Sequence, residues 1–600
     1  MLHEIVEYGR QHGIGGEKGF LPKMVRWLVT FSPAGKYMGI VPLADGPKSK
    51  GREFLKAPHL KFSGDTPMRQ FLVDTAEYAL MYKSDKPAGK LRTKHEFFLR
   101  LLGDSATAEP ILGKIASALA DESIRNAICA DLEQHKAKPA DCVTFAEVSD
   151  GRARIIVETD SWHEWWRSYF RTLFEKPVKK AGKSKAASGP PQARCFISGE
   201  LGEAVATHPK IKGLGDVGGN IETTLVGFNL DAFCSYGLVQ SANAATSEQA
   251  AEDYAAALNH LIAKQSRRLA GAKVVYWYVG AEQPLDEEDL LASLFGGDSA
   301  VGVADPEASR DGLAEKQATD RAGDLLDAIR TGRRSGLRDC QYRALTLSGN
   351  AGRVVIRDWM QGQFDDLARS IKAWFDDLSI VRRDGTGLAK EPKLAALLAG
   401  MVRDLADTPP ALVVALWRSA LLGLPIPDQA AARVLARVTI DVVNDNPPSH
   451  ARMALLKTYL IRKGRRDMHQ EMNEHLKHPA YLSGRIMAIL AGIQHKALGD
   501  VGAGVVQRYY AAASATPALV LGRLVRLAQV GHLPKIDPPA LRGWYDRQLA
   551  EAWDALGHNP PQKCLSLEEQ TLFAMGYYQQ KARRAASADN AATNESAANA

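Results

Sequence analysis

Gly213, Gly215 and Gly218 match the G-x-G-x-x-G spacing letter for letter. In a dinucleotide site those glycines form a strand-to-helix turn whose free backbone N–H groups meet a pyrophosphate. The flanking sequence argues against that turn: Pro209 stands just upstream, and residues 220–228 read as a strand instead of a helix. What remains is a Gly-rich loop beside Lys210 and Lys212, where glycine permits close backbone approach and lysine offers a phosphate contact. A plain structural turn is the alternative reading.

Paired carboxylates occur at Asp365–Asp366 and at Asp376–Asp377. Such pairs serve metal binding or acid–base work, but these lie on one predicted helix with an apolar face of Phe364, Leu367, Ile371 and Phe375. A solvated helix face accounts for them. The six cysteines (129, 142, 195, 234, 340 and 564) form no C-x-x-C pair, and His163, His208 and His260 have no partners at ligand spacing. Neither a G-x-S-x-G turn nor a G-x-x-x-x-G-K-[ST] loop is present. No catalytic group, metal or organic cofactor is therefore expected. Trp162, Trp165, Trp166 and Tyr169 could stack on bases, but at helical spacing they form one stripe, which favours a core.

Basic clusters are the other chemical feature. They comprise Arg462, Lys463, Arg465 and Arg466, then Arg523 and Arg526, then Lys581, Arg583 and Arg584. Arg523 and Arg526 are three apart and share a helix face beside Leu521, Leu524 and Leu527. That arrangement suits a helix lying along a phosphate backbone, and it suits an ordinary surface helix equally. Across the 600 residues, 76 Lys and Arg against 69 Asp and Glu give +7, a mild excess that permits nucleic-acid binding without demonstrating it.

The elements that must carry these residues change along the chain. Residues 1–60 mix a short amphipathic helix with strand-like runs, and residues 68–83 and 92–135 read as helices. Residues 154–158 read as a strand and 162–175 as a helix. The stretch 176–191 has five lysines and almost no large apolar side chain, which marks a linker. Residues 246–268 form a predicted helix and 273–279 (KVVYWYV) a buried strand. Residues 341–348 and 353–358 form a strand pair around a Gly-Asn-Ala-Gly turn. From 392 to 580 the pattern is helical, with prolines between segments. The Ala-rich tail after 584 lacks core-forming residues and is predicted to be disordered. The fold class is α+β, with a mixed α/β region followed by a helical bundle. The first residues lack the apolar core of a signal peptide, and no run reaches the roughly 18 apolar residues of a membrane span, so a cytoplasmic location is expected.

Three ordered stretches resemble one family. The first holds Cys195-Phe-Ile-Ser-Gly199, His208-Pro-Lys-Ile-Lys-Gly213, Leu225-Val-Gly-Phe-Asn229, Ser235-Tyr-Gly237, Ala242-Asn-Ala244, and Tyr254 through Asn259, His260 and Leu261. The second is Thr346-Leu-Ser-Gly-Asn-Ala-Gly-Arg353 with Arg357-Asp-Trp359. The third begins Arg508-Tyr-Tyr and continues through Leu565-Ser-Leu-Glu-Glu569 to Leu572 and Tyr578. Together they resemble the large subunit of the subtype I-C CRISPR effector complex, Cascade.

The resemblance implies a nucleic-acid-binding subunit that is not a nuclease. It reads a short motif beside the target in double-stranded DNA, holds the displaced strand, and helps recruit a helicase-nuclease while a guide RNA reads sequence. Its partners are that RNA, the DNA, and the backbone and small subunits of Cascade. The implied organisation is 1–175 for motif reading, a basic linker at 176–191, a central α/β domain at 192–385 and a bundle at 386–584. Residues from about 468 resemble the small subunit, with Met468 or Met472 as an internal start, and 585–600 form a tail. Ser63, Thr66, Arg69 and Gln70 are candidate motif readers, since Arg suits guanine edges, Gln adenine, and hydroxyls either. Lys210, Lys212, Asn220 and Asn229 are candidates for backbone contacts, and Arg523 and Arg526 for the displaced strand. The rival reading is a nuclease or a nucleotide-dependent enzyme using the Gly-rich loop.

Overall fold

A strand buried on both faces needs apolar or small side chains throughout instead of alternation, and Trp27–Phe31 (WLVTF) is buried at every position. The computed structural model describes residues 1–14, 19–44, 51–60, 66, 68–149, 151–174, 192–205, 207–228, 230–238, 240–295, 318–501 and 503–598. Its contacts divide the chain into two units, Met1–Ile211 with Thr224–His260, and Lys212–Thr223 with the chain from Leu261 onward. The division does not follow chain order, because segment 192–385 is shared between the units. The linker at 176–191 lies outside the described residues.

In the first unit, Trp27–Phe31 pairs antiparallel with Tyr37–Pro42 and parallel with Cys142–Ser149, which also pairs with Asp74–Thr75 and Arg152–Ile155. A parallel pair requires a long crossover, and the connection supplies helices Ala88–Asp104, Pro110–Ala120 and Glu122–Gln134. The stretch 92–135 is thus three helices. Pro110 opens the second, and the Asp121 carboxylate caps the third by accepting the Ser123 N–H at 2.8 Å. Phe31, Phe71, Phe98, Phe145, Trp162 and Trp166 lie in one core. The Trp stripe on His163–Phe174 is part of it: Trp166 stacks on Phe71 at 5.2 Å, and the Trp162 indole donates to the Ile156 carbonyl at 2.9 Å.

The expected helix at 68–83 is a correction. Only Ala76–Ala79 is helical. Leu72, Met81 and Lys83 have positive φ, which no continuing helix tolerates. Asp74–Thr75 pairs with the Cys142–Ser149 strand, and the Asp74 carboxylate accepts the N–H of Gln70 and of Thr75. Strand pairing and a local carboxylate–backbone bond override the helical spacing.

In the second unit the sheet runs in the order Gly219–Thr224, Gln341–Gln363, Ala272–Val279, Ser266–Leu269. Gln341–Gln363 is a ribbon folded on itself. Arg343 bonds to Gln361 at 2.9 Å and Arg357 to Ser348 at 2.7 Å across it, and Ala351 takes positive φ at the turn. Helix Phe364–Leu378 buries Phe364, Leu367, Ile371, Trp374 and Phe375. Beyond it, apart from an isolated bridge between Val381 and Leu388, every regular element among the described residues is helical. Prolines at the first positions open Pro410–Leu422, Pro479–Leu498, Pro517–Leu527 and Pro539–Asp554, since a missing N–H is harmless there. The α+β class, with the bundle at the C-terminal end, is the observed one.

Pro479–Leu498 is buried almost all round and is the axis of the bundle. It meets Leu567–Ala598 through two glycines. A Cβ at Gly484 would lie 2.0 Å from the Phe573 carbonyl oxygen, and one at Gly576 would lie 2.1 Å from that of Tyr481. Leu567–Ala598 also runs through the Ala-rich tail, where composition predicts disorder. Alanine has the highest helix propensity, so an alanine-rich stretch can extend a helix already nucleated by packing.

Candidate nucleic-acid interface

Side chains at 69 and 70 bond to residues on the described segments 51–60 and 68–74. Gln70 clamps Leu60 from both sides: its Oε1 accepts the Leu60 N–H at 2.8 Å, and its Nε2 donates to the Leu60 carbonyl at 3.0 Å. Arg69 is buried. Its Nε donates to Asp74 Oδ2 at 2.8 Å, a second guanidinium nitrogen pairs with Oδ1, and the group lies 3.6 Å from the Tyr78 ring centroid. Lys23, on the bulged strand Phe20–Val25, donates to the Val73 carbonyl at 3.2 Å. Burial pulls the Lys23 ammonium down to about 8, against the raising influence of Asp74.

Arg69 and Gln70, two of the four candidate motif readers, thus each make bonds to their own chain, Gln70 with Leu60 and Arg69 with Asp74. Thr66 is half-buried, and Ser63 lies outside the described residues.

The Gly-rich loop is also built for packing. Gly213 and Gly218 take positive φ. A Cβ on Gly218 would lie 2.9 Å from the Gly349 carbonyl oxygen, and one on Gly349 would lie 2.0 Å from the Gly219 nitrogen. The glycines thus let the loop touch the turn of the Gln341–Gln363 ribbon, backbone against backbone. The loop's one helical piece, Gly215–Val217, has three residues and leads into the strand Gly219–Thr224, so no helix N-terminus faces a phosphate. Lys273 anchors the loop, donating to the Gly213 carbonyl at 2.6 Å and pairing with Asp216 at 3.0 Å. Lys212 is exposed, as is Lys210, whose carbonyl accepts the Asn259 side-chain amide at 3.1 Å. Asn220 falls in the Gly219–Thr224 strand, and Asn229 lies outside the described residues.

The three basic clusters prove unlike one another. Arg462 pairs with Asp377 at 3.0 Å, Lys463 with Asp428 at 2.8 Å, and Arg465 with Glu568 at 3.1 Å. Arg583 pairs with Glu474. These cations hold the bundle together. Of the paired carboxylates only Asp377 joins in that, through Arg462; Asp376 pairs with Lys372 at 2.8 Å, and Arg369 bridges Asp365 and Asp366, along the surface of their own helix.

Arg523 and Arg526 differ: both are exposed on Pro517–Leu527, and neither is ion-paired among the described residues. They lie on one stripe with Leu519 and Leu527, both exposed, while Leu521, Leu524 and Ala528 are buried on the other side. Arg508 on Val505–Ala515, Lys535, and Arg542 and Arg547 on Pro539–Asp554 are likewise exposed and without an ion pair among the described residues. Sequence reasoning missed these four. The available signal was the local balance, seven Lys and Arg against four Asp and Glu over 501–566.

The N-terminal candidates belong to the first unit, and Lys212 and the bundle arginines to the second. Among the described residues, no three His, Cys, Asp or Glu side chains gather where they could hold a metal ion, and no helix is long and apolar enough to cross a membrane. A family model described as CRISPR-associated protein (Cas_Csd1) matches residues 6–585. No curated protein matches the chain.

Proposed function

The chain belongs to the Cas_Csd1 family of CRISPR-associated proteins, the large subunit of type I-C Cascade, and from that premise we propose that it is a DNA-binding protein and not an enzyme. It recognises the short motif beside the target in double-stranded DNA, stabilises the R-loop, and helps recruit a helicase-nuclease. Guide RNA supplies the sequence reading by base pairing. The unpaired cations of residues 505–547 carry this reading. Several other bundle arginines, among them Arg452, Arg462, Arg465 and Arg583, are matched by a carboxylate, and an exposed cation left unmatched keeps its full attraction for phosphate. In this reading the displaced strand runs along Arg523 and Arg526, with Leu519 and Leu527 beside them to meet base faces. Motif reading falls to the stretch 63–70, with Ser63 and Thr66 as donors.

The test is DNA binding by the assembled complex, with and without this chain, on targets differing only in the flanking motif. Motif-dependent affinity that appears only with the chain present is the expected result. Equal affinity for all motifs refutes the reading.

A further inference from the structure

The connection between helices His450–Arg462 and Pro479–Leu498 runs through residues 463–478 without a helix of its own. Side chains hold it in place. Asn473 donates to the Asp467 carbonyl at 2.9 Å, and its Oδ1 accepts the His475 N–H at 3.0 Å. Gln579, on Leu567–Ala598, donates to the His469 carbonyl at 3.0 Å. The connection ends at His478, which is the N-cap of Pro479–Leu498.

Pro479 has no N–H, so the first donor of that helix is the N–H of Ala480, and the His478 Nδ1 accepts it at 3.2 Å. A ring nitrogen that accepts carries no proton. The closed cap therefore needs a neutral imidazole with its proton on Nε2. Protonation would set a donor against a donor. Ala480 is 1% exposed, so water does not replace the lost acceptor and the N–H is left unsatisfied. The positive end of the helix dipole also disfavours a cation at this position.

The charged groups that act on His478 are Arg465 and Asp467 from the connection, and Glu568 and Glu569 from the first turn of Leu567–Ala598. Its sequence neighbours His475 and Lys477 are exposed. Arg465 pairs with Glu568 at 3.1 Å and lies 3.9 Å from Asp467, while Glu569 accepts the Ser566 N–H at 2.8 Å in the cap of its own helix. These carboxylates are thus already engaged. Burial first, then the Arg465 guanidinium, hold the His478 imidazole below its ordinary value, against the raising influence of Glu569, Glu568 and Asp467. We propose that His478 is an acid-sensitive latch on the bundle: neutral, it closes the N-terminus of Pro479–Leu498, and protonated, it releases that first turn and the end of the connection before it. The closed form binds fewer protons than the open one, so the latch holds fully above pH of about 6.5 and loosens as the pH falls below it. The proposal does not depend on the reading of a DNA motif.

The test is amide hydrogen exchange of the full-length chain, read by mass spectrometry on peptides covering 476–484, for wild type and His478→Asn. Asparagine caps a helix without titrating. Comparing the two at equal pH cancels most of the pH dependence of exchange itself. Similar protection at pH 7 is expected, with wild type exchanging several-fold faster than the variant at pH 5. The ceiling is about 25-fold, set by an open form that titrates like an ordinary histidine. Equal exchange of the two at pH 5 overturns the proposal and assigns any acid response to the surrounding carboxylates. A second measurement needs no variant: deuterium exchange at the carbon between the two ring nitrogens of His478, followed against pH in the wild type, reports its titration midpoint. A midpoint below 6.5 is expected, and one at or above 6.5 overturns the latch.

Discussion

Replacing Arg523 and Arg526 together by alanine removes two exposed cations that hold no carboxylate. Nothing inside the bundle loses a partner, so the fold should change by no more than about 0.5 kcal/mol. DNA binding should change in a defined way. Each phosphate neutralised on a single strand contributes about 0.7 to the slope of log affinity against log salt, so two arginines contribute about 1.4. Between 50 and 200 mM salt the wild type should therefore lose about sevenfold more affinity than the variant. Extending the change to Arg508, Lys535, Arg542 and Arg547 raises that difference to roughly 300-fold. The assay is fluorescence anisotropy of labelled single-stranded DNA with the assembled complex at several salt concentrations. Parallel slopes for wild type and double variant would refute the assignment of the strand to this stripe, whatever the absolute affinities.

Four further outcomes are expected. Arg69→Ala leaves the buried Asp74 carboxylate without its guanidinium and should destabilise the first unit by about 3–5 kcal/mol, seen as a lowered urea midpoint; a stable variant with altered motif preference would return Arg69 to the base readers. Gly484→Ala drives a methyl against the Phe573 carbonyl and should cost about 1–3 kcal/mol, read by thermal melting, whereas alanine at the open Gly522 should not. Lys457 is buried, its ammonium drawn down to about 8 by burial, and it donates to the Asp377 carbonyl at 2.7 Å. Because its folded value lies below the unfolded one, raising the pH from 8 towards 10.5 should stabilise the wild type, by up to about 3 kcal/mol. Lys457→Met should lose that rise in urea unfolding, and Thr458, which donates to the same carbonyl at 2.9 Å, keeps it satisfied. A C-terminal tag should reveal, on a western blot, a second product starting at Met468 or Met472; full-length protein alone would dismiss an internal start.

The sequence by itself determined the class of the fold and the family. Helical spacing with prolines between segments marked the bundle, because a proline can only begin a helix. Unbroken apolar runs such as 273–279 marked buried strands. The ordered motifs from Cys195 to Tyr578 marked the family, since no single one of them is specific. The failure of the dinucleotide reading was also legible, from Pro209 and the strand after Gly218.

Tertiary structure decided what each polar side chain is for. Arg69, Gln70 and Arg462 look in sequence like Arg523: polar groups in a promising place. Whether a guanidinium meets a carboxylate or solvent depends on residues as remote as Asp377 from Arg462, and local spacing holds no record of that distance. The same holds for Gly218, whose purpose is set by Gly349, and for residues 68–83, where pairing with the Cys142–Ser149 strand overrode a helical pattern. Periodicity records which side of an element is buried. Partners across the chain, which the periodicity does not name, determine which charges remain exposed and unmatched.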